Sequence, residues 1–252
     1  MIEELLLALV AGVVGILVGL TGVGGGAVMT PALILMFGIS PVTAVATDLI
    51  FATITKIVSG FVHNKAGSVD WSVLRKMWLG SLPGVLLGIV AVIYLLGGNL
   101  ASLSFFLAVL IAITAISMLR AKSGFQSTNM TKARTTAVGV FIGFSVATTS
   151  VGAGALGMAL VRALLGDKDP KRLVGTDVVH AIPVALLAGL SYGFAGLIDW
   201  TLLLILLTGS IPGVILGSLF VQKVDSAAMR KSLGLVLLLA AVGIITKALG
   251  LV

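Results

Sequence analysis

The sequence predicts an all-α polytopic membrane protein: an inverted 5+5 repeat of transmembrane helices, two of them short and glycine-interrupted. Three observations predict it. The chain is too apolar to coat itself in water, it contains itself twice, and its basic residues fall on one side only if ten segments cross the bilayer.

Of 252 residues, 59% are hydrophobic and 10% charged, with a mean hydropathy of +1.23. Soluble domains carry about 25% charged residues. The runs Leu5–Leu20, Leu79–Leu96, Leu100–Leu119 and Ala195–Val221 approach the ~20 residues that span a bilayer core. They are continuous rather than alternating, which favours helices over barrel strands. The opening MIEELLLALV has an acidic flank and no small-residue cleavage site, so it is read as a retained first helix. There is no cysteine, hence no disulfide and no thiolate metal site. No metal or cofactor is expected, and no nucleic-acid partner either, since the basic residues behind the net charge of +7 lie at run ends.

The repeat is gapless over more than forty residues. VATDLIFATITKIVSGFVHNKAGSVDWSVLRKMWLGSLPGVLLG begins at Val45, and VGTDVVHAIPVALLAGLSYGFAGLIDWTLLLILLTGSIPGVILG begins at Val174, an offset of 129. Thr47–Asp48 falls on Thr176–Asp177, Asp70–Trp71 on Asp199–Trp200, and Gly80-Ser81-x-Pro83-Gly84 on Gly209-Ser210-x-Pro212-Gly213. Upstream, TGVGGGA meets TSVGAGA at an offset of 128. The first half is 1–124 and the second 125–252. Apolar runs are read at 4–20, 25–38, 42–62, 73–96 and 101–120, then 134–150, 153–166, 172–195, 198–221 and 229–249. With ten crossings and the loop from Arg120 to Arg134 in the cytoplasm, all 16 Lys and Arg except Lys56 and Lys247 lie inside or at the inner ends. Five crossings per half make the halves inverted and put both termini outside. If the seventh run turned back instead, Arg162, Lys168, Lys171 and Arg172 would sit outside, against the positive-inside rule.

The second run of each half is too short to span ~30 Å as helix alone. The glycine stretch GLTGVGGGAVMTPALILMFGISPVTAVATDL is read as unwound backbone that completes the crossing. Such backbone is tolerated at membrane depth only inside protein or beside a wet cavity, and in inverted-repeat transporters it marks the substrate site. Gly24, Gly25 and Gly26 precede a helix near Ala27; Gly152 and Gly154 precede one near Ala155. Helix N-termini offer unpaired N–H groups and the positive dipole end to an anion. Thr21, Ser150, Thr30, Thr148 and Thr149 are candidate hydroxyl donors beside them. Close helix packing is the competing reading of these glycines.

Asp48 and Asp177 each lie about seven residues into a span. A carboxylate partly removed from water can take up and release a proton during a cycle, or it can cap local backbone with help from Thr47 and Thr176. Lys56, whose repeat mate is Ala185, either holds an anion, pairs with an aspartate or snorkels to the surface. His180, the mate of Phe51, is either a proton relay or a hydrogen-bonded interior histidine. Asp70 and Asp199 read as N-caps, Trp71 and Trp200 as interface anchors, and the Gly-Ser-x-Pro-Gly pair as hinge or packing surface.

GxxxGLTGVGGGAVMTPAL followed by ATDL, with a degenerate second copy, resembles the TauE/SafE family of sulfite exporters and organosulfonate permeases. The resemblance covers essentially the whole chain. It implies a multi-pass inner-membrane transporter of small sulfur-containing anions such as sulfite or sulfonates. The second copy departs from the pattern: Ser150 replaces Gly22, and no proline follows Gly154 where Pro31 follows Gly26. Beside a secondary transporter, an uncoupled anion facilitator remains open. A cation transporter fits worse, since two aspartates make a poor hard-cation cage. An intramembrane enzyme lacks its motifs: there is no Gly-x-Ser-x-Gly and no His-Glu-x-x-His, and His63 and His180 lie in different halves.

Overall fold

Every described segment of regular structure is helical. The computed structural model describes residues 2–21, 26–95, 100–120, 131–151, 155–165, 170–220 and 226–248. Among these are ten α-helices: α1 (Ile2–Thr21), α2 (Gly26–Leu35), α3 (Pro41–Lys65), α4 (Trp71–Val90), α5 (Leu100–Arg120), α6 (Lys132–Thr149), α7 (Ala155–Leu165), α8 (Pro170–Phe194), α9 (Trp200–Phe220) and α10 (Ser226–Ala248). A π-helical turn, Ala91–Leu95, continues α4. The ten apolar runs read from the sequence coincide with these helices to within a few residues. The second helix of each half is shorter than the run that predicts it, at 10 residues for α2 and 11 for α7. Their axial rise of about 15–17 Å is roughly half a bilayer core.

Asp70 opens α4 by accepting the N–H groups of Ser72 and Val73, and Asp199 opens α9 by accepting that of Leu202. Both are N-caps, because a short side-chain oxygen reaches the first unpaired amides of a helix. Trp71 and Trp200, one residue on, are exposed, as anchors at a water–lipid boundary would be.

The helices interleave across the two halves. α1 packs along α9 and α4 along α6; α2 packs on α3 and α7 on α8; α5 packs on α10, and α3 crosses α8. Each pair has a partner pair in which first- and second-half helices exchange roles. The Gly-Ser-x-Pro-Gly motifs make the longest of these contacts. A side chain at Gly84 would strike the Val140 carbonyl of α6, and one at Gly213 the Gly12 carbonyl of α1. The motif therefore serves close helix packing, which small residues permit and dispersion rewards.

α3 and α8 form the centre. Gly60, late in α3, faces Val179 and Ile182, early in α8; Gly189, late in α8, faces Ile50, early in α3. The two helices therefore run antiparallel. Among the described residues, four helical segments are long and apolar enough to cross a membrane: Pro41–Lys65, Trp71–Tyr94, Lys171–Phe194 and Trp200–Gly217. The α3 and α8 spans are 76% and 61% buried, against 44% and 39% for those of α4 and α9. The polar residues Asp48, Thr53, Lys56, Ser59, Asp177 and His180 along α3 and α8 are consequently buried in protein, while the outer helices turn Leu79, Leu86, Leu204 and Leu239 outward.

Candidate functional site: a buried charge cluster between α3 and α8

Asp48, Lys56, Asp177 and His180 are all buried, none more than 1% exposed. The first two lie on α3 and the others on α8, so the helix crossing brings both halves to one place. The Lys56 ammonium lies within electrostatic reach of both carboxylates, Asp177 more strongly than Asp48, and also of the His180 ring. Its burial overturns the snorkelling alternative: fifteen residues of span did not carry the amine to water, because α8 covers that face.

The two aspartates are treated differently. Asp48 Oδ2 accepts the Thr30 hydroxyl at 2.6 Å. Ser150 stands beside the same carboxylate, yet its hydroxyl makes no hydrogen bond of good geometry among the described residues. Asp177 has neither. Offset 128 puts Met158 where Thr30 stands in the first half, and a methionine offers no O–H. Instead α7 lies directly on Asp177: a Cβ at Gly157 would collide with its Oδ1. Among the described residues Asp48 Oδ1, both Asp177 oxygens, Lys56 Nζ and His180 Nδ1 have no hydrogen-bond partner. Each buried polar atom in that condition costs about 1–3 kcal/mol, more when charged. Four such atoms together with the lysine's own are the signature of a site rather than of a core.

His180 is buried and hydrogen-bonded through one ring nitrogen. Its Nε2 is 2.9 Å from Ser81 Oγ, and its backbone carbonyl accepts the Trp78 indole N–H at 3.1 Å. Both partners come from α4 and neither was among the sequence candidates. Ser81 belongs to the repeated glycine-proline motif, and the signal that could have marked it is that the repeat mate of Phe51 is His180.

Thr47 and Thr176 do not assist their neighbouring aspartates. Thr176 Oγ1 accepts the Asp70 N–H at 2.9 Å and Thr47 Oγ1 the Asp199 N–H at 3.1 Å, each tying one half to the other. Thr30, expected as a donor to a ligand, is taken by Asp48. Thr148 and Thr149 bond back to carbonyls of their own helix, Phe144 and Ser145. Gly24, Gly25, Gly152 and Gly154 lie outside the described residues, as does the Thr21 side chain. Gly26 is described, and a Cβ there would meet the Ser150 carbonyl. The first glycine motif thus abuts the second, beside Asp48. Ser150 holds φ 57°, the left-handed region, as the C-cap of α6. A non-glycine residue pays about 1–2 kcal/mol there, and such strain gathers at functional sites.

Residues 7–244 match the family model described as sulfite exporter TauE/SafE. The chain belongs to the TauE/SafE family. This TauE/SafE protein is 34% identical over 219 residues to the probable membrane transporter protein YjnA of Bacillus subtilis (strain 168), covering 81% of this chain and 85% of that one. It is 25% identical over 242 residues to the probable membrane transporter protein YdhB of the same organism, covering 91% and 95%. A probable membrane transporter protein of Xylella fastidiosa (strain 9a5c) is 26% identical over 245 residues, 93% and 92% of the two chains. No solved structure matches the TauE/SafE chain. Family, apolar helices and relatives agree on a multi-pass membrane transporter.

Proposed function

We propose that this TauE/SafE protein is a proton-coupled secondary transporter of small sulfur-containing oxyanions, sulfite or organosulfonates. It works by alternating access around a midplane site in the inner membrane. The two halves, 1–124 and 125–252, act as inverted five-helix repeats with both termini outside. Substrate is held by Thr21, Gly24, Gly25, Gly26, Ser150, Gly152 and Gly154, with Lys56 as counter-charge. Asp48, Asp177 and His180 carry the proton or gate the site.

The observation that carries this reading is the set of five unpartnered buried atoms on Asp48, Lys56, Asp177 and His180. One lysine faces two carboxylates, so an entering anion deepens an existing negative excess in a medium that penalises net charge. A proton taken up by a carboxylate restores the balance, which is the physical reason to couple the two fluxes. The antiparallel α3 and α8, and the exchange-matched helix pairs, support inverted halves. Two of the site's features, Gly26 against Ser150 and Thr30 on Asp48, join the glycine motifs to the aspartate.

The test is sulfite flux in proteoliposomes under imposed pH gradients of either sign. Accumulation of sulfite against its own gradient, driven by a proton gradient, is expected. Flux that only relaxes the sulfite gradient would replace coupling with facilitation, and no flux at either polarity would remove the substrate assignment.

A further inference from the structure

We propose that Ser81 of α4 is a positioning residue of the charge cluster: by accepting the Nε2–H of His180 it fixes the ring's tautomer and leaves Nδ1 as a bare lone pair within the buried cluster. A serine hydroxyl has one proton. Ser81 Oγ donates it to the Met77 carbonyl at 3.1 Å. Its 2.9 Å contact with His180 Nε2 is then satisfied when the ring carries its proton on that nitrogen. The opposite tautomer would bury an unpaired N–H near an ammonium, whereas a lone pair there is attracted to it. Nδ1 and Lys56 Nζ are both buried, and neither has a partner among the described residues. Trp78 fixes the same turn of α8 from α4 through the His180 carbonyl.

The repeat supplies an internal control. The mates of Lys56, His180 and Ser81 are Ala185, Phe51 and Ser210. Where the cation and the imidazole are replaced together, the retained serine loses its purpose: Ser210 Oγ is buried without a partner among the described residues. The polar triplet thus exists on one side of the crossing only, and the anion's counter-charge is held from that side. This last statement rests on the transport reading; the tautomer does not.

The chain has two histidines, so His63→Gln leaves His180 as the sole imidazole. In detergent-purified, nitrogen-15 histidine-labelled His63→Gln protein, the ring is expected to show a protonated Nε2 and a bare Nδ1. Ser81→Ala removes that single tautomer, and Ser210→Ala keeps it. A ring protonated on Nδ1, or an unaltered spectrum in Ser81→Ala, overturns the proposal whether or not any anion is carried. Should Ser81→Ala fail to fold, the spectrum with Ser81 intact still decides. In proteoliposomes, Ser81→Ala raises KM for sulfite about tenfold with turnover at saturation retained, and His180→Phe raises KM at least as far. Ser210→Ala changes neither. His180→Asn, with Oδ1 near the Nδ1 position, keeps affinity that His180→Gln loses. Equal KM in Ser81→Ala and the parent overturns the positioning role, while a parent that moves no sulfite defeats the transport reading and leaves the spectrum to judge the tautomer.

Discussion

The backbone N–H of Asp70 donates to Thr176 Oγ1 at 2.9 Å, and its repeat mate, the N–H of Asp199, donates to Thr47 Oγ1 at 3.1 Å. One bond is made twice with the halves exchanged. Each fastens the N-terminus of an outer helix to the central helix of the other half, one residue from a buried aspartate. The first is reinforced by Arg172, whose Nη2 lies 3.3 Å from Asp70 Oδ2. Its mate position, Thr43, bears no charge. Any motion that separates the halves at one end must release one of these bonds.

Thr47→Val and Thr176→Val keep shape and remove the acceptor, leaving a half-buried N–H unpaired. Each is expected to lower stability by about 1 kcal/mol, and the two losses to add because the sites lie at opposite ends of the central pair. Thermal denaturation in detergent of both single variants and the double variant checks this. Arg172→Ala should change little, since Arg172 is 53% exposed and surface ion pairs contribute at most about 1 kcal/mol.

Lys56 is the cation set between two buried carboxylates. Lys56→Met strands both, and destabilisation of about 3–5 kcal/mol or failure to insert is expected. Adding Asp177→Asn to Lys56→Met removes one stranded charge, and the double variant should regain a monodisperse profile in size-exclusion chromatography without regaining sulfite flux. A double variant no better folded than Lys56→Met would show that the ammonium and Asp177 are energetically independent.

Asp48→Asn preserves an oxygen able to accept from Thr30 Oγ1, so folding and membrane insertion should survive. The titratable group is gone. Sulfite uptake measured across external pH should then lose most of the pH dependence that the parent shows. A profile unchanged in shape would confine Asp48 to holding Thr30 and hand the coupling role to Asp177.

Ser150 opposes strain to function. Ser150→Gly relieves the left-handed backbone and is expected to stabilise the protein by about 1 kcal/mol, read as a higher Tm. The same change deletes a buried hydroxyl beside Asp48, and sulfite turnover should fall. A variant both more stable and fully active would mean that the hydroxyl serves nothing.

Much of the fold was legible because lipid imposes simple rules on sequence. Continuous apolar runs and the capping aspartates Asp70 and Asp199 place ten helices and their ends. Those features are local, and a helix satisfies its own backbone wherever it lies. The candidates Asp48, Lys56, Asp177 and His180 were also visible, since a polar residue inside an apolar run stands out by its cost. Their meeting was not. Whether Lys56 snorkels or stays buried depends on α8 covering α3, and whether Thr47 serves Asp48 or Asp199 depends on a crossing between residues 152 positions apart. Ser81 and Trp78 escaped notice for the same reason: their chemistry is defined by a histidine on another helix. Composition and periodicity determined which segments are helices; only the packing of α4, α7 and α8 around α3 decided which polar atoms find partners and which are left facing one another.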